Sequence, residues 1–331
     1  MSVQCIVQVS VLGVRHVLDQ TLEFENGLNA IEGYNGSGKT TLLKAIKYCL
    51  NYIPDDNLVR RDSSVAVKFR LTNGLYRTYR KSTGDPEDEE LKPYSINGNK
   101  VSDTEYVVDL NNVGINNHTV HFMIPEFDWK EMARKDNWQL ALLIENLSPE
   151  LEDIKYDLEE VQEKLRRRSG KEKDEEFDRL QRQLEEVKTR RRTTFLESFD
   201  ALATQVDRYY KMVTGDQNVK AELKIVNPAE PYEEVEFLIS SKHGTIDTLA
   251  LSFGEISFVS TALMFAFQHA LQTPFVILDR FDVSFSGTSC IKVSRGLVEI
   301  MEATGLQISV ICHKDMMGEV VVNVIHLKGK E

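Results

Sequence analysis

Cysteine is scarce in this sequence. The 331 residues hold four, Cys5, Cys49, Cys290 and Cys312, and none forms a C-x-x-C pair. Scattered single thiols argue against a zinc site and against a disulfide framework, and they fit a reducing compartment. Long apolar runs are missing as well. No stretch approaches the ~20 residues that cross a bilayer, and the first residues carry no apolar signal core, so the expected location is cytosolic or nuclear with no membrane contact. An excess of basic charge is also absent. Forty Lys and Arg face 52 Asp and Glu for a formal net charge of −12, so the molecule as a whole is not a basic nucleic-acid binder, although a local basic strip remains compatible with that total. What is present is enough apolar residue, 41%, to bury a real core in one large domain or two ordinary ones. The charged fraction of 28% suggests solvated helix beyond a compact globule.

The most informative stretch is Gly33-Tyr34-Asn35-Gly36-Ser37-Gly38-Lys39-Thr40. It matches the phosphate-loop pattern G-x-x-x-x-G-K-[ST] at every fixed position. Leu28–Ile31 before it reads as a short buried strand, and Thr41–Lys47 after it as the first turns of a helix. In that context Gly33, Gly36 and Gly38 let the backbone curl until several N–H groups face one anion, and the helix N-terminus adds partial positive charge. Lys39 is expected to reach the β- and γ-phosphates and the Thr40 hydroxyl to sit on Mg²⁺. The candidate nucleotide ligands are Gly33, Asn35, Gly36, Ser37, Gly38, Lys39, Thr40 and Thr41.

Around this loop, residues 1–145 alternate short β-type runs with turns. Val3, Cys5, Val7, Val9 and Val11 recur at every second position. Val65, Val67, Phe69 and Leu71 do the same and end at an Asn73-Gly74 turn before Tyr76 and Tyr79, which predicts a hairpin. Residues 84–93 read as an acidic surface loop. The texture changes at Ser148-Pro149, a good N-cap and first helical position. Leu151, Ile154, Leu158, Val161 and Leu165 then recur at spacings of 3 and 4, Ser169-Gly170 interrupts, and the pattern resumes from Phe177 and Leu180 through to Val206 and Tyr209. This predicts an antiparallel helical hairpin with a narrow seam, either projecting as a coiled coil or packed flat on a domain. Beyond Gly215, β texture returns in Ala221–Ile225 and Val235–Ile239. A helix is predicted over Glu255–Leu271, a buried strand over Phe275–Leu278, and two last strands over 308–312 and 320–327. Phosphate-loop folds hold Mg²⁺ with an Asp from across the sheet, and Asp279 stands at such a strand end.

This layout resembles the ATPase head of the structural maintenance of chromosomes (SMC) family, ABC-type ATPases whose N- and C-terminal lobes are joined through an antiparallel coiled coil. The carriers are residues 33–40, Leu251-Ser252-Phe253-Gly254-Glu255, Leu278-Asp279 and His313. The fold class implied is α/β: an ABC-type phosphate-loop ATPase head of two β/α lobes with a coiled-coil hairpin insertion, divided as 1–147, 148–213 and 214–331. The resemblance also implies that Ser252 and Gly254 complete the nucleotide site of a partner head, that His313 senses the γ-phosphate, and that Thr40 and Asp279 hold Mg²⁺ with ATP as cofactor. It implies as partners a second SMC head, a kleisin-type or other non-SMC subunit and DNA, and a chromosome-associated location in the nucleus or, in a prokaryote, the nucleoid. The hairpin is far shorter than the family's coil. Either the chain is a naturally short relative or Ser169-Gly170 marks a join between two halves of a head.

Departures from the family pattern gather on hydrolysis. The family's catalytic Glu after the Asp is Arg280, a cation that cannot take a proton from water. The glutamine that contacts Mg²⁺ and water aligns with Glu126, which makes Glu126 a candidate metal ligand and catalytic carboxylate. Phe253 replaces a signature glycine, and Ser286 a later aspartate. Gripping of phosphate is thus expected with weak or lost turnover. Two other functions stay open: an active break-repair ATPase using Glu126 or Asp282, and a scaffold that ignores nucleotide. Basic clusters at Arg77/Arg80/Lys81, Arg166–Arg168 and Arg190–Arg192 are candidates for DNA phosphate or simply solvated faces, and the resemblance implies an arginine in the region of Arg60 and Arg61 that reaches the nucleotide or DNA.

Overall fold

The computed structural model describes residues 2–15, 17, 19–52, 59–83, 93–116, 136–168, 175–242, 244–247, 251–279, 281, 285, 287–312, 320 and 323–328. In chain order the elements are β1 (Val3–Val14), β2 (Gln20–Glu23), β3 (Leu28–Glu32), α1 (Lys39–Cys49), β4 (Val59–Leu71), β5 (Tyr76–Ser82), β6 (Tyr94–Ile96), β7 (Asn99–Val101) and α2 (Asp103–Asn112). There follow α3 (Asn137–Glu145), α4 (Glu150–Arg167), α5 (Glu175–Thr214), β8 (Lys220–Ile225), β9 (Val235–Ser241), β10 (Gly244–Asp247) and α6 (Phe253–Ala270). The chain closes with β11 (Phe275–Leu278), α7 (Thr288–Thr304), β12 (Gln307–Ile311) and β13 (Asn323–His326).

These elements form two compact units. The first takes Met1–Trp129, Met212–Gly215 and Gln272–Glu331, and the second Lys130–Lys211 and Asp216–Leu271. The first unit holds an antiparallel sheet of order β2-β1-β4-β5-β6-β7 and a parallel sheet of order β11-β12-β3-β13. Alternation explains the antiparallel sheet, because Val65, Val67, Phe69 and Leu71 all turn to one face and are buried. The β4–β5 hairpin turns at Asn73-Gly74 as predicted, with Gly74 at φ 81°, a left-handed conformation that costs glycine little. Strands β11, β12 and most of β3 are buried at every residue, as parallel strands covered on both faces must be. Helix α1 packs Leu42, Ala45, Ile46 and Cys49 into one continuous core with Val67 and Phe69 of β4 and with Ile31, Phe275 and Ile311 of the parallel sheet.

Gln307 cross-links the two sheets of this unit. Its amide nitrogen donates to the carbonyls of Ile6 (2.7 Å) and Glu25 (2.8 Å), and its oxygen accepts from Ile6 N–H at 2.8 Å. The side chain is buried at the start of a strand that is apolar apart from Ser309.

In the second unit α4 and α5 run antiparallel, with Arg190 against Asp157 and Arg168 against Glu176. The seam predicted from the heptad spacing is visible in burial: Leu151, Ile154, Val161 and Leu180 are buried, and towards the far end of α5 Phe195, Phe199, Leu202, Val206 and Tyr209 are too. Ser169-Gly170 and the acidic residues 84–92 lie outside the described residues. Helix α4 begins after Pro149, which is itself in helical conformation, and Ser148 makes no side-chain cap. Helix α6 is buried all round from Val259 to Phe267. The sheet β10-β9-β8 is antiparallel.

Replacing Gln307 by Leu leaves an N–H and two carbonyls of the first unit without partners, each worth ~1–3 kcal/mol. We expect Gln307→Leu to lower unfolding free energy by about 3 kcal/mol in urea denaturation, despite the more apolar side chain.

Candidate functional site

Strand β3 lies between β12 and β13, and β11 flanks β12, all in parallel. Parallel strands end at one rim, where ligands of open α/β sheets are held. Residues 33–40 follow β3 and Asp279 follows β11, so both reach that rim. The Thr40 hydroxyl donates to Asp279 Oδ2 at 2.8 Å across 239 residues of sequence.

The loop has the shape its glycines allow. Gly36 and Gly38 hold φ of 89° and 91°, and Gly38 caps α1 from the left-handed region. Gly33 is needed for space: an added Cβ stands 2.4 Å from Ser37 Oγ and 2.9 Å from the Leu327 carbonyl. Lys39 is 5% exposed. Its ammonium donates to the carbonyls of Gly33 (2.6 Å) and Tyr34 (3.1 Å), and among the described residues no carboxylate pairs with it. An ammonium has three protons, so one is uncommitted and the buried charge lacks a counter-charge.

Two further atoms at this rim are orphaned. Ser37 Oγ and Asp279 Oδ1 are buried and have no hydrogen-bond partner among the described residues. An uncompensated lysine and a free hydroxyl suit a phosphate, and a carboxylate oxygen beside a threonine hydroxyl suits a hard cation. Among the described residues no group of three or more His, Cys, Asp and Glu could hold a metal. The arrangement therefore fits Mg²⁺ held by one carboxylate, a hydroxyl and phosphate oxygens rather than an all-protein cage. Sequence reasoning did not single out Tyr34, whose carbonyl accepts from Lys39, or Leu327, whose carbonyl crowds Gly33, because no residue type announces a backbone carbonyl.

Ser252 caps α6 in the second unit. Its hydroxyl donates to Glu255 Oε2 at 2.6 Å, and its N–H donates to the same oxygen at 2.9 Å. Nothing lies within 4 Å of a Cβ added to Gly254, so its own unit does not require glycine there. Asn35 is exposed and Thr41 half-buried in the first turn of α1. Arg280, Glu126, His313, Asp282 and Ser286 lie outside the described residues, as does the side chain of Phe253.

The basic clusters separate clearly. Arg166 and Arg167 pair with Glu163, Arg168 with Glu176 and Arg190 with Asp157. Arg191 pairs with the buried Glu145 and stacks on Tyr232, 3.8 Å from the ring centroid. Arg77 pairs with Asp109 at 3.0 Å. Lys81 donates to Asn51 at 2.7 Å and lies over Tyr48 and Tyr94, and burial lowers its pKa. The side chains of Arg60 and Arg61 lie outside the described residues. Of the clusters read from sequence, Arg80 and Arg192 are left exposed and without a carboxylate among the described residues.

The family described as "AAA domain" matches over residues 8–191, more than half of the sequence. The chain belongs to this family. It is 27% identical over 168 residues to the chromosome partition protein Smc of Methanocaldococcus jannaschii, a match covering 47% of this chain and 14% of that protein. The 1B SMC protein of Homo sapiens is 32% identical over 124 residues, covering 37% of this chain and 10% of its own length. The chain thus spans about a tenth to a seventh of these relatives. Among solved structures, the Pyrococcus furiosus Smc head domain bound to the C-terminal domain of ScpA superimposes with a TM-score of 0.64 at 17% identity, covering 98% of this chain and 96% of that one. The recombination mediator RecF with ATP gives 0.60 at 15% identity, covering 98% and 95%. This AAA-domain chain has the fold of an SMC-like ABC ATPase head.

Asp279→Asn keeps the shape of the side chain and removes its charge. Nucleotide affinity of the variant is expected to be the same with Mg²⁺ as with EDTA, measured by calorimetry, whereas the unaltered chain loses affinity in EDTA.

Proposed function

We propose that this AAA-domain chain binds ATP with Mg²⁺ at residues 33–40 and 279, and that it hydrolyses ATP slowly or not at all at its own site. The observation that carries the reading is the buried Lys39 ammonium, which has backbone carbonyls but no counter-ion among the described residues, beside the Thr40–Asp279 contact. Lys39 neutralises phosphate, the N–H groups of residues 35–41 cradle it, and Thr40 and Asp279 hold the metal, with Glu126 as a further ligand. Mg²⁺ when bound supplies charge neutralisation to the phosphate oxygens. Arg280 follows Asp279 where the family has its water-polarising Glu, and a guanidinium is no base. His313 reads the γ-phosphate.

The chain works as one of two heads closed around nucleotide in chromosome organisation, with Ser252 and Gly254 serving the partner's site. Support comes from the SMC relatives, and from solved SMC heads carrying ScpA, which point to a kleisin-type subunit. The location is chromosomal, nuclear or nucleoid, with DNA within reach. The division 1–147, 148–213 and 214–331 corresponds to lobe, hairpin and lobe.

Two variants test this. Lys39→Ala is expected to weaken ATP binding at least about 100-fold, ~2.7 kcal/mol, in calorimetry, and an unchanged affinity overturns the reading. Arg280→Glu is expected to raise phosphate release by about 10²- to 10⁴-fold, the usual contribution of general-base catalysis. Fast release by the unaltered chain, unchanged in this variant, defeats the claim of weak hydrolysis.

A further inference from the structure

The outer face of the antiparallel sheet in the first unit carries a charge pattern that the nucleotide site does not use. Inward on β4 and β5 go Val65, Val67, Phe69 and Tyr79, all fully buried. Outward go Lys68 and Arg70 on β4 and Tyr76 and Arg80 on β5, because antiparallel partners share a face. Arg70 stands directly opposite Tyr76 in the register, and Lys68 opposite Thr78, two residues before Arg80. The Lys68 ammonium lies 4.8 Å from the centroid of the Tyr76 ring, which is half exposed. Among the described residues Arg80 reaches only the Ser64 hydroxyl, at 3.3 Å.

Elsewhere in this acidic chain Arg166, Arg167, Arg168, Arg190 and Arg191 of the helical hairpin, and Arg77, are each paired with an acid. Here, among the described residues, no carboxylate pairs with Lys68, Arg70 or Arg80. The described carboxylate on this face, Glu23 of β2, accepts from Gln8 at 2.6 Å. Like charges on neighbouring positions of a sheet repel, so the fold maintains an unneutralised patch around an exposed ring.

We propose that this face binds single-stranded nucleic acid, with a base stacked on Tyr76 and backbone phosphates on Lys68, Arg70 and Arg80. Successive outward residues of a strand are about 7 Å apart and neighbouring strands about 4.8 Å, so Arg70 beside the ring, Lys68 one step along and Arg80 a further step along form a line of cations about 14 Å long that can serve consecutive phosphates of one strand. A base stacked on an aromatic side chain and phosphates on basic neighbours is how sequence-tolerant single-strand binding works. A duplex keeps its bases in the stack and would engage the cations alone, and an acidic peptide offers the ring no base. The surface shares no residue with the phosphate loop or Asp279, and the inference stands independently of ATP binding.

The test is fluorescence anisotropy with a labelled oligodeoxythymidine of about 15 nucleotides, the upper range of such sites, at low salt. The unaltered chain is expected to bind it. Tyr76→Ala should weaken binding about tenfold, Tyr76→Phe should retain it, and both should melt at the temperature of the unaltered chain. Combined Lys68→Glu, Arg70→Glu and Arg80→Glu should lower the slope of log affinity against log salt by about 2, from ~0.7 per phosphate contact. Arg166→Ala with Arg167→Ala on α4 should change nothing. Failure of the unaltered chain to bind, equal binding by Tyr76→Ala, or competition by a duplex or by polyglutamate as strong as by unlabelled oligonucleotide overturns the proposal.

Discussion

The hydrogen bond from Thr40 to Asp279 depends on a single arrangement, the parallel pairing of β12 with β3 on one side and β11 on the other. Each strand is too short to be stable alone. Together they bring three carboxyl ends to one rim, and with them the phosphate loop and the aspartate. Helix α1 then ties that rim to the antiparallel sheet, because its buried side chains share a core with both sheets. Gln307 adds a second tie at the opposite end of β12, where three hydrogen bonds hold Ile6 and Glu25. A shift in any of these strands would separate the hydroxyl from the carboxylate before it disturbed the loop itself.

The same unit shows where polar groups are left unsatisfied. Asn29 is buried, yet its side chain exchanges hydrogen bonds with the backbone of Glu25 and accepts from Asn323. Gln307 is satisfied at both ends. Among the described residues Ser37 Oγ and Asp279 Oδ1 are not, and Lys39 has carbonyls but no counter-charge. Burial of an unpaired charge or polar atom costs free energy that a folded protein normally avoids. A fold that satisfies its structural amides while leaving three groups of one rim in need of an anion and a cation is organised for ligands of those charges.

Much of this was legible from residues 28–47 alone, because a loop that needs left-handed glycines and no Cβ at Gly33 restricts the residue types allowed. Strands with an alternating or fully apolar pattern, such as Val65–Leu71 and Phe275–Leu278, were legible for the same reason: burial fixes their composition. Pairings between distant polar side chains were not. Arg190 finds Asp157 and Arg191 finds Glu145 only once the helices are laid side by side, so a run of arginines in sequence gives no sign of whether it is neutralised. Gln307, a polar residue beginning a largely apolar strand, was legible only as an irregularity, since its acceptors Ile6 and Glu25 lie about 300 residues away. The roles of Glu126, Arg280 and His313 rest on sequence, as those residues lie outside the described part of the chain.

Net charge is a poor guide to what this surface attracts, because the Debye length at physiological salt is about 8 Å. Over that range a site feels its neighbours and not the chain's total. Along α4 and α5 Arg166, Arg167, Arg168, Arg190 and Arg191 each have an acid within hydrogen-bonding reach, so their fields fall off quickly. On the outer face of β4 and β5 no described carboxylate pairs with Lys68, Arg70 or Arg80, and Glu23 of β2 is already engaged by Gln8, so three cations stand unneutralised in a chain that is negative overall. The phosphate loop reaches the same result by other means, with a buried lysine and the N-terminal end of α1 in place of exposed cations. Two anion-seeking surfaces thus coexist in an acidic protein because each excludes acidic side chains locally, one by burial and glycine-rich backbone and the other by the composition of two adjacent strands.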